Sequence, residues 1–166
     1  MARKAFFSFH YDADNWRVSQ VRNIHVVEEN RVLSSNEWEQ VKKGGDTAIQ
    51  RWIDGEMYGK SCVIVLVGTG TANRKWINYE ISKGWNDGKG VVGVRINGLK
   101  DRLGNTSQSG ANPFDYVTFT NSQAKLSSIV RLIDPTSPWG STQTYANIKN
   151  DIAEWVEAAI QLRAKY

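Results

Sequence analysis

Residues 61–88 read SCVIVLVGTGTANRKWINYEISKGWNDG, a strand, a turn and a helix in immediate succession. Cys62, Val63, Ile64, Val65, Leu66 and Val67 form an unbroken apolar, largely β-branched run. Such a run suits a strand covered on both faces, as in the middle of a parallel sheet. Gly68-Thr69-Gly70-Thr71 breaks it with turn-forming residues, and Asn73 is placed to cap the next helix. On that helix Trp76 and Glu80 stand at i and i+4 and share a face, beside a packing face of Ile77, Ile81 and Gly84. Open α/β sheets bind ligands at the carboxyl ends of their strands. A carboxylate one to two turns into a helix that starts there reaches the rim of such a crevice, which makes Glu80 the first candidate for chemistry.

The surrounding chain repeats the alternation. Residues 4–9 (KAFFSF) read as a strand that ends in His10-Tyr11. Asp14 or Asn15 is placed to cap a helix carrying Val18, Val21 and Ile24 or His25. Residues 31–33 suggest a loop or a weak second strand, and residues 34–45 a long loop with one helical turn. Asp46 then caps a helix over residues 47–58, with an apolar stripe of Ile49, Trp52, Ile53 and Met57. Residues 91–96 (VVGVRI) form a second buried-type strand. Residues 97–112 show neither period, so an irregular insertion is expected over about 97–115, with a last strand over 116–119. A C-terminal helix over about 143–164 carries Tyr145, Ile148, Ile152, Trp155, Val156, Ala159 and Ile160. The sum is one α/β domain over 1–166, with a mostly parallel sheet of about five strands and helices on both faces.

Composition narrows the classes. The chain has 166 residues, 40% of them hydrophobic and 23% charged, which is globular rather than disordered. No apolar run is long enough to span a membrane. The start is too polar for a signal peptide, and the lone Cys62 forms no internal disulfide, so a cytoplasmic location is expected. The net charge of +4 comes from dispersed residues rather than a basic run. That disfavours a nucleic-acid module, while the charge favours an anionic small molecule such as a dinucleotide.

Several motifs are incomplete. Gly68-Thr69-Gly70 lacks the third glycine of a dinucleotide fingerprint, position 73 being Asn, and it does not follow the first strand. There is no Walker lysine and no Gly-x-Ser-x-Gly elbow. His10 and His25 have no partner at metal-ligand spacing, so no metal and no bound cofactor are expected. The strands end in Phe9, Val67 and Ile96 rather than the Asp of a phosphate-accepting receiver domain. His10 is a second candidate, because it stands where the first strand ends.

The order of these strings resembles TIR domains. Ala5-Phe6-Phe7-Ser8-Phe9 matches their first strand, and Trp76 with Glu80 matches their Trp-x-x-x-Glu helix, with Tyr79 before the glutamate as in some bacterial members. The chain is most similar to the TIR-like proteins of Thoeris anti-phage defence. The likeness lies in FFSFHY (6–11), VRN (21–23), NRKWINYEI (73–81), INGLKDRLGN (96–105) and NPFDY (112–116). It implies a flavodoxin-like TIR fold and cleavage of the nicotinamide–ribose bond of NAD, as substrate, with Glu80 as the catalytic carboxylate. It further implies that the ADP-ribose is usually cyclised, or joined to another group, as a signal for a separate effector, with activation through a partner, a phage-derived trigger or self-association. Phe9, Tyr11, Trp76 and Tyr79 would then supply stacking surface, and His10 and Asn73 would lie at the substrate. Asn36 and Trp38 fall in the loop that helps assemble the site in TIR enzymes. The chain departs from many TIR NADases at Asn73, where Ser or Cys is common, and at His10, where others have Arg or Ser. The rival expectation is a TIR-like scaffold or binding module without enzymatic activity.

Overall fold

The computed structural model describes residues 3–24, 28–29 and 35–166, with only the backbone at 28–29 and 35–36. The elements run β1 (Lys4–Ser8), α1 (Tyr11–Arg22), β2 (Glu28–Glu29), α2 (Ser35–Lys43), α3 (Gly45–Met57), β3 (Cys62–Val67), α4 (Lys75–Asn86), β4 (Gly90–Arg95), β5 (Leu132–Ile133) and α5 (Ser141–Arg163). Two 3-10 turns, Pro113–Tyr116 and Leu126–Ser128, lie between β4 and β5.

The sheet order is β2-β1-β3-β4-β5, with every pairing parallel. This is the doubly wound order of flavodoxin-like folds. β3 is central because all six of its residues are buried. Its alternation sends Ile64 and Leu66 to one face and Val63, Val65 and Val67 to the other. The first face packs against α1 and α5 through Val18, Val21, Ile148, Ile152 and Val156. The second packs against α3 and α4 through Ile49, Ile53, Met57, Ile77 and Ile81. Two separate apolar cores therefore clamp one sheet, and the carboxyl ends of β1, β3 and β4 share one edge.

Five expectations change. Residues 35–43 are helical rather than loop: α2 packs on α3 through Trp38 against Trp52, with ring centroids 5.9 Å apart. Residues 116–119 do not form the last strand; Thr118 makes only an isolated antiparallel bridge to Lys125, and Leu132–Ile133 pairs with β4 instead. Neither Asp14 nor Asn15 caps α1, whose N-cap is His10, and α3 begins at Gly45, ahead of Asp46. Asn73 does not cap α4; Arg74 holds that position, and Asn73 takes a positive φ of 60°. The expected strand residues 31–33, and His25, lie outside the described residues.

Residues 97–112 are irregular, as expected, yet closely tied. Ser107 N donates to Asn97 O at 2.9 Å, and Asp101 Oδ1 accepts from the backbone N–H of Leu103 and Asn105, each at 2.9 Å. Arg95 Nη1 donates to Gly110 O at 2.6 Å. The segment forms a strap over the ends of β3 and β4. It approaches so closely that a Cβ on Gly110 would lie 2.4 Å from Thr69 O.

Candidate functional site

The sheet order reverses between β1 and β3: the chain leaves β1 for β2 on one side, then builds β3, β4 and β5 on the other. Such a switch point opens a crevice beyond the strand ends. Ser8 is the last residue of β1, and α4 begins a few residues beyond β3. The two meet there: Ser8 Oγ donates to Glu80 Oε1 at 2.7 Å.

Glu80 is only 8% exposed, so it lies deeper than the rim position expected from its spacing. Burial pushes its carboxyl up to about 8, and the Ser8 hydrogen bond only partly opposes this. A buried acid with a strongly raised pKa at a topological switch point has the features of a functional group rather than a structural one.

Beside this pair lies a cleft of about 270 Å³. Phe9, His10, Tyr11, Trp38 and Trp76 all line it, together with Asp12, Arg74, Lys75 and Ile77. Glu80 is not on its wall. Phe9 directly follows Ser8, however, and Trp76 precedes Glu80 by one helical turn, so chain neighbours of both members of the pair line the cleft. Within the lining, Phe9 and Tyr11 have ring centroids 6.3 Å apart, and Lys75 Nζ lies 5.0 Å above the Trp76 ring. Burial, and then the Arg74 charge, hold the His10 imidazole below its ordinary pKa.

Two expected residues stand elsewhere. Tyr79 is not on the cleft wall; its hydroxyl donates to Asp54 Oδ1 at 2.5 Å, and its ring packs edge-on against Trp76 at 5.8 Å. Burial and that bond both raise its pKa. Asn73 is also off the wall, where its Oδ1 accepts from Asn78 Nδ2 at 3.4 Å. The side chain of Asn36 lies outside the described residues. Replacing Tyr79 by Phe is therefore expected to cost about 1 kcal/mol of stability through the missing hydrogen bond. A denaturant melt checks this; an unchanged midpoint would show that the bond to Asp54 contributes nothing to the fold.

Sequence reasoning missed Ser8, whose signal was a lone hydroxyl inside an apolar strand that burial obliges to find a partner. It also missed Asp14 and Arg17, both buried. Arg17 Nη1 lies 3.4 Å from Asp14 Oδ1, while Nε and Nη2 donate to Leu99 O and Asn105 O at 2.9 and 3.0 Å. The Asp14 carboxylate presses on Gly68, where a Cβ would come within 2.2 Å of Oδ2. Burial raises the Asp14 pKa against the pull of Arg17. This buried pair ties α1 to both the β3 turn and the strap, and so stiffens the crevice on the face opposite Glu80.

Among the described residues no cluster of His, Cys, Asp or Glu could hold a metal ion, and no helix is long and apolar enough to cross a membrane.

Comparison with known proteins agrees with this arrangement. Residues 6–101, which include the end of β1, the β3 turn and α4, match the family described as Thoeris protein ThsB, TIR-like domain. The chain is 42% identical over 124 residues to a protein of Bacillus cereus (strain MSX-D12) named "Putative cyclic ADP-D-ribose synthase ThsB1". The alignment covers 72% of this chain and 65% of that protein, so about a third of the relative has no counterpart in the match. With the switch-point crevice and the Trp76–Glu80 helix in place, the chain belongs to the TIR-like domain family of Thoeris protein ThsB.

Proposed function

We propose that this protein cleaves the nicotinamide–ribose bond of NAD, using Glu80, and closes the product into a cyclic ADP-ribose. The observation that carries the reading is the buried Glu80 carboxyl, held by Ser8 at the β1/β3 switch point beside an aromatic cleft. The bond breaks with its electron pair passing to the pyridinium nitrogen, which neutralises the leaving group. Positive charge then develops on the ribose, in an oxocarbenium-like transition state. An ionised Glu80 beside the anomeric carbon stabilises that charge in a site of low dielectric. A neutral leaving group needs no strong acid, so one carboxylate suffices.

The raised pKa of Glu80 fits this role. The pyridinium is a fixed positive charge, and its arrival favours the ionised carboxylate. The substrate thus helps generate the anion that its own cleavage requires. Phe9, Tyr11 and Trp76 present ring faces that exclude water, which favours capture of the ribose by another group of the same molecule over hydrolysis. The name of the Bacillus cereus relative supports that class of product. The signal would act on a separate effector in anti-phage defence, in the cytoplasm, after a phage-derived trigger and self-association.

Mass analysis of NAD incubated with triggered protein tests the proposal. Nicotinamide is expected together with a product one water lighter than ADP-ribose. Intact NAD under triggering conditions would instead favour a scaffold.

Ser8 supplies a further prediction. Ser8→Ala removes the hydrogen bond that favours the ionised carboxylate, so the Glu80 pKa climbs further. Turnover is expected to fall several-fold at pH 7 and to recover as the pH is raised. A uniform loss at all pH values would mean that Ser8 acts only on packing.

A further inference from the structure

We propose that Arg74 receives the diphosphate of the dinucleotide and so selects phosphorylated nicotinamide substrates over the bare nucleoside. The inference rests on the NAD reading of the same site.

Three basic side chains line the cleft: His10, Arg74 and Lys75. They are not equivalent. Lys75 is committed to a salt bridge with Asp46 and lies over the Trp76 ring. His10 is partly buried, and burial, then the Arg74 charge, lower its pKa against the pull of Asp12 and Asp14. Arg74 makes a single hydrogen bond, from Nε to Gly70 O at 2.6 Å, and among the described residues no carboxylate pairs with it. That bond anchors the guanidinium against the turn after β3 and leaves its two Nη groups free to donate. A planar fork held at one nitrogen and open at the others is suited to bidentate capture of a phosphate.

Position supports the same chemistry. Arg74 is the N-cap of α4, ahead of Trp76 and Glu80 in the chain, and it lines the cleft together with Trp76, so it stands at the outer, N-terminal end of that helix. A molecule with its ribose carbon toward Glu80 and its rings on Trp76 and Tyr11 extends its next polar group, the diphosphate, toward that outer end. Asp12 also lines the cleft and disfavours an anion beside it, which leaves the α4 side for the phosphates.

Calorimetric titration of the full chain carrying Glu80→Gln, which removes turnover from the measurement, tests the proposal. ADP-ribose carries the diphosphate, whereas nicotinamide riboside has no phosphate. Adding Arg74→Gln is expected to weaken ADP-ribose at least tenfold and to leave nicotinamide riboside within twofold. Arg74→Lys, which keeps the charge without the fork, is expected to restore part of the ADP-ribose affinity. Undiminished ADP-ribose binding by the Arg74→Gln chain overturns the assignment and leaves the NAD reading standing. Equal losses for both ligands overturn it as well, by showing that Arg74 shapes the cleft instead. Failure of the Glu80→Gln chain itself to bind ADP-ribose overturns the NAD reading together with this one.

Discussion

Glu80→Gln is expected to lower NAD cleavage by at least about 100-fold, the usual scale for removing a preorganised electrostatic stabiliser. The amide keeps the shape of the side chain and can still accept from Ser8, so the loss reports charge alone. The same substitution changes the pH dependence of stability. The Glu80 carboxyl is raised from 4.5 to about 8 in the folded protein, so the folded state holds its proton more tightly than the unfolded chain does. Below pH 4.5 both states are protonated and the contribution of Glu80 to stability is fully present. Between 4.5 and 8 the unfolded chain ionises while the folded one does not, and stability is lost as pH rises. Above 8 both are ionised and the loss stops growing. The slope within the window approaches about 1.4 kcal/mol per pH unit. Gln has no such window. The melting temperature of the variant, measured against the parent at pH 5 and pH 9, should therefore move in the variant's favour at the higher pH. The parent's kcat/KM should in turn rise toward about pH 8, where the free carboxylate forms. Unchanged turnover of Glu80→Gln would remove the proposed chemistry. A melting difference that ignores pH would mean that the carboxyl is solvated.

The parts legible in the sequence were those fixed by local pattern. Cys62–Val67 reads as central because an uninterrupted apolar run needs cover on both faces, and all six residues are buried. Glu80 stood out for its place after that strand. Its depth was not legible, because helical spacing cannot show that Ser8, on another strand, would satisfy the carboxyl. α2 was hidden for a similar reason: its sequence, SNEWEQVKK, carries little apolar surface, and what anchors it is Trp38 against Trp52 on a different helix. Asp14 has the residue type and position of a helix cap, yet a buried arginine three residues later claims it. The last strand was misplaced because an edge strand is defined by its neighbour. Leu132 and Ile133 qualify by lying beside Gly93 and Val94, not by any alternation of their own. Within the cleft, the aromatic residues of FFSFHY and the tryptophan of NRKW announced themselves. Arg74, between them in function, looked like one more surface charge.

Phe114→Ala is expected to be among the most destabilising single substitutions in the chain. Phe114 is fully buried, in the 3-10 turn Pro113–Tyr116 that ends the strap, with Asn112 Oδ1 accepting its backbone N–H at 2.9 Å. Its ring fills the space over β4 that Gly93 leaves open; a Cβ on that glycine would lie 2.9 Å from Phe114 Cε2. Val117, Leu126 and Val130 belong to the same core. The strap and the 3-10 turns lack the ladders of a helix or strand, so burial of this ring adds to the scattered hydrogen bonds that seat them on the sheet. Truncation to Ala costs about 3–5 kcal/mol in such settings, the cavity adding to the lost transfer energy. For a chain of this size, that lowers the melting temperature by about 6–20 °C. The effect should reach the site, because the strap is bound to the β3 turn through Thr69 with Gln108 and to the end of β4 through Arg95 with Gly110. Amide exchange is then expected to speed up at residues 68–71 and 105–112 more than in α1 or α5. A melting temperature lowered by less than about 2 °C would show that the strap is seated by its hydrogen bonds, with the Phe114 ring contributing little.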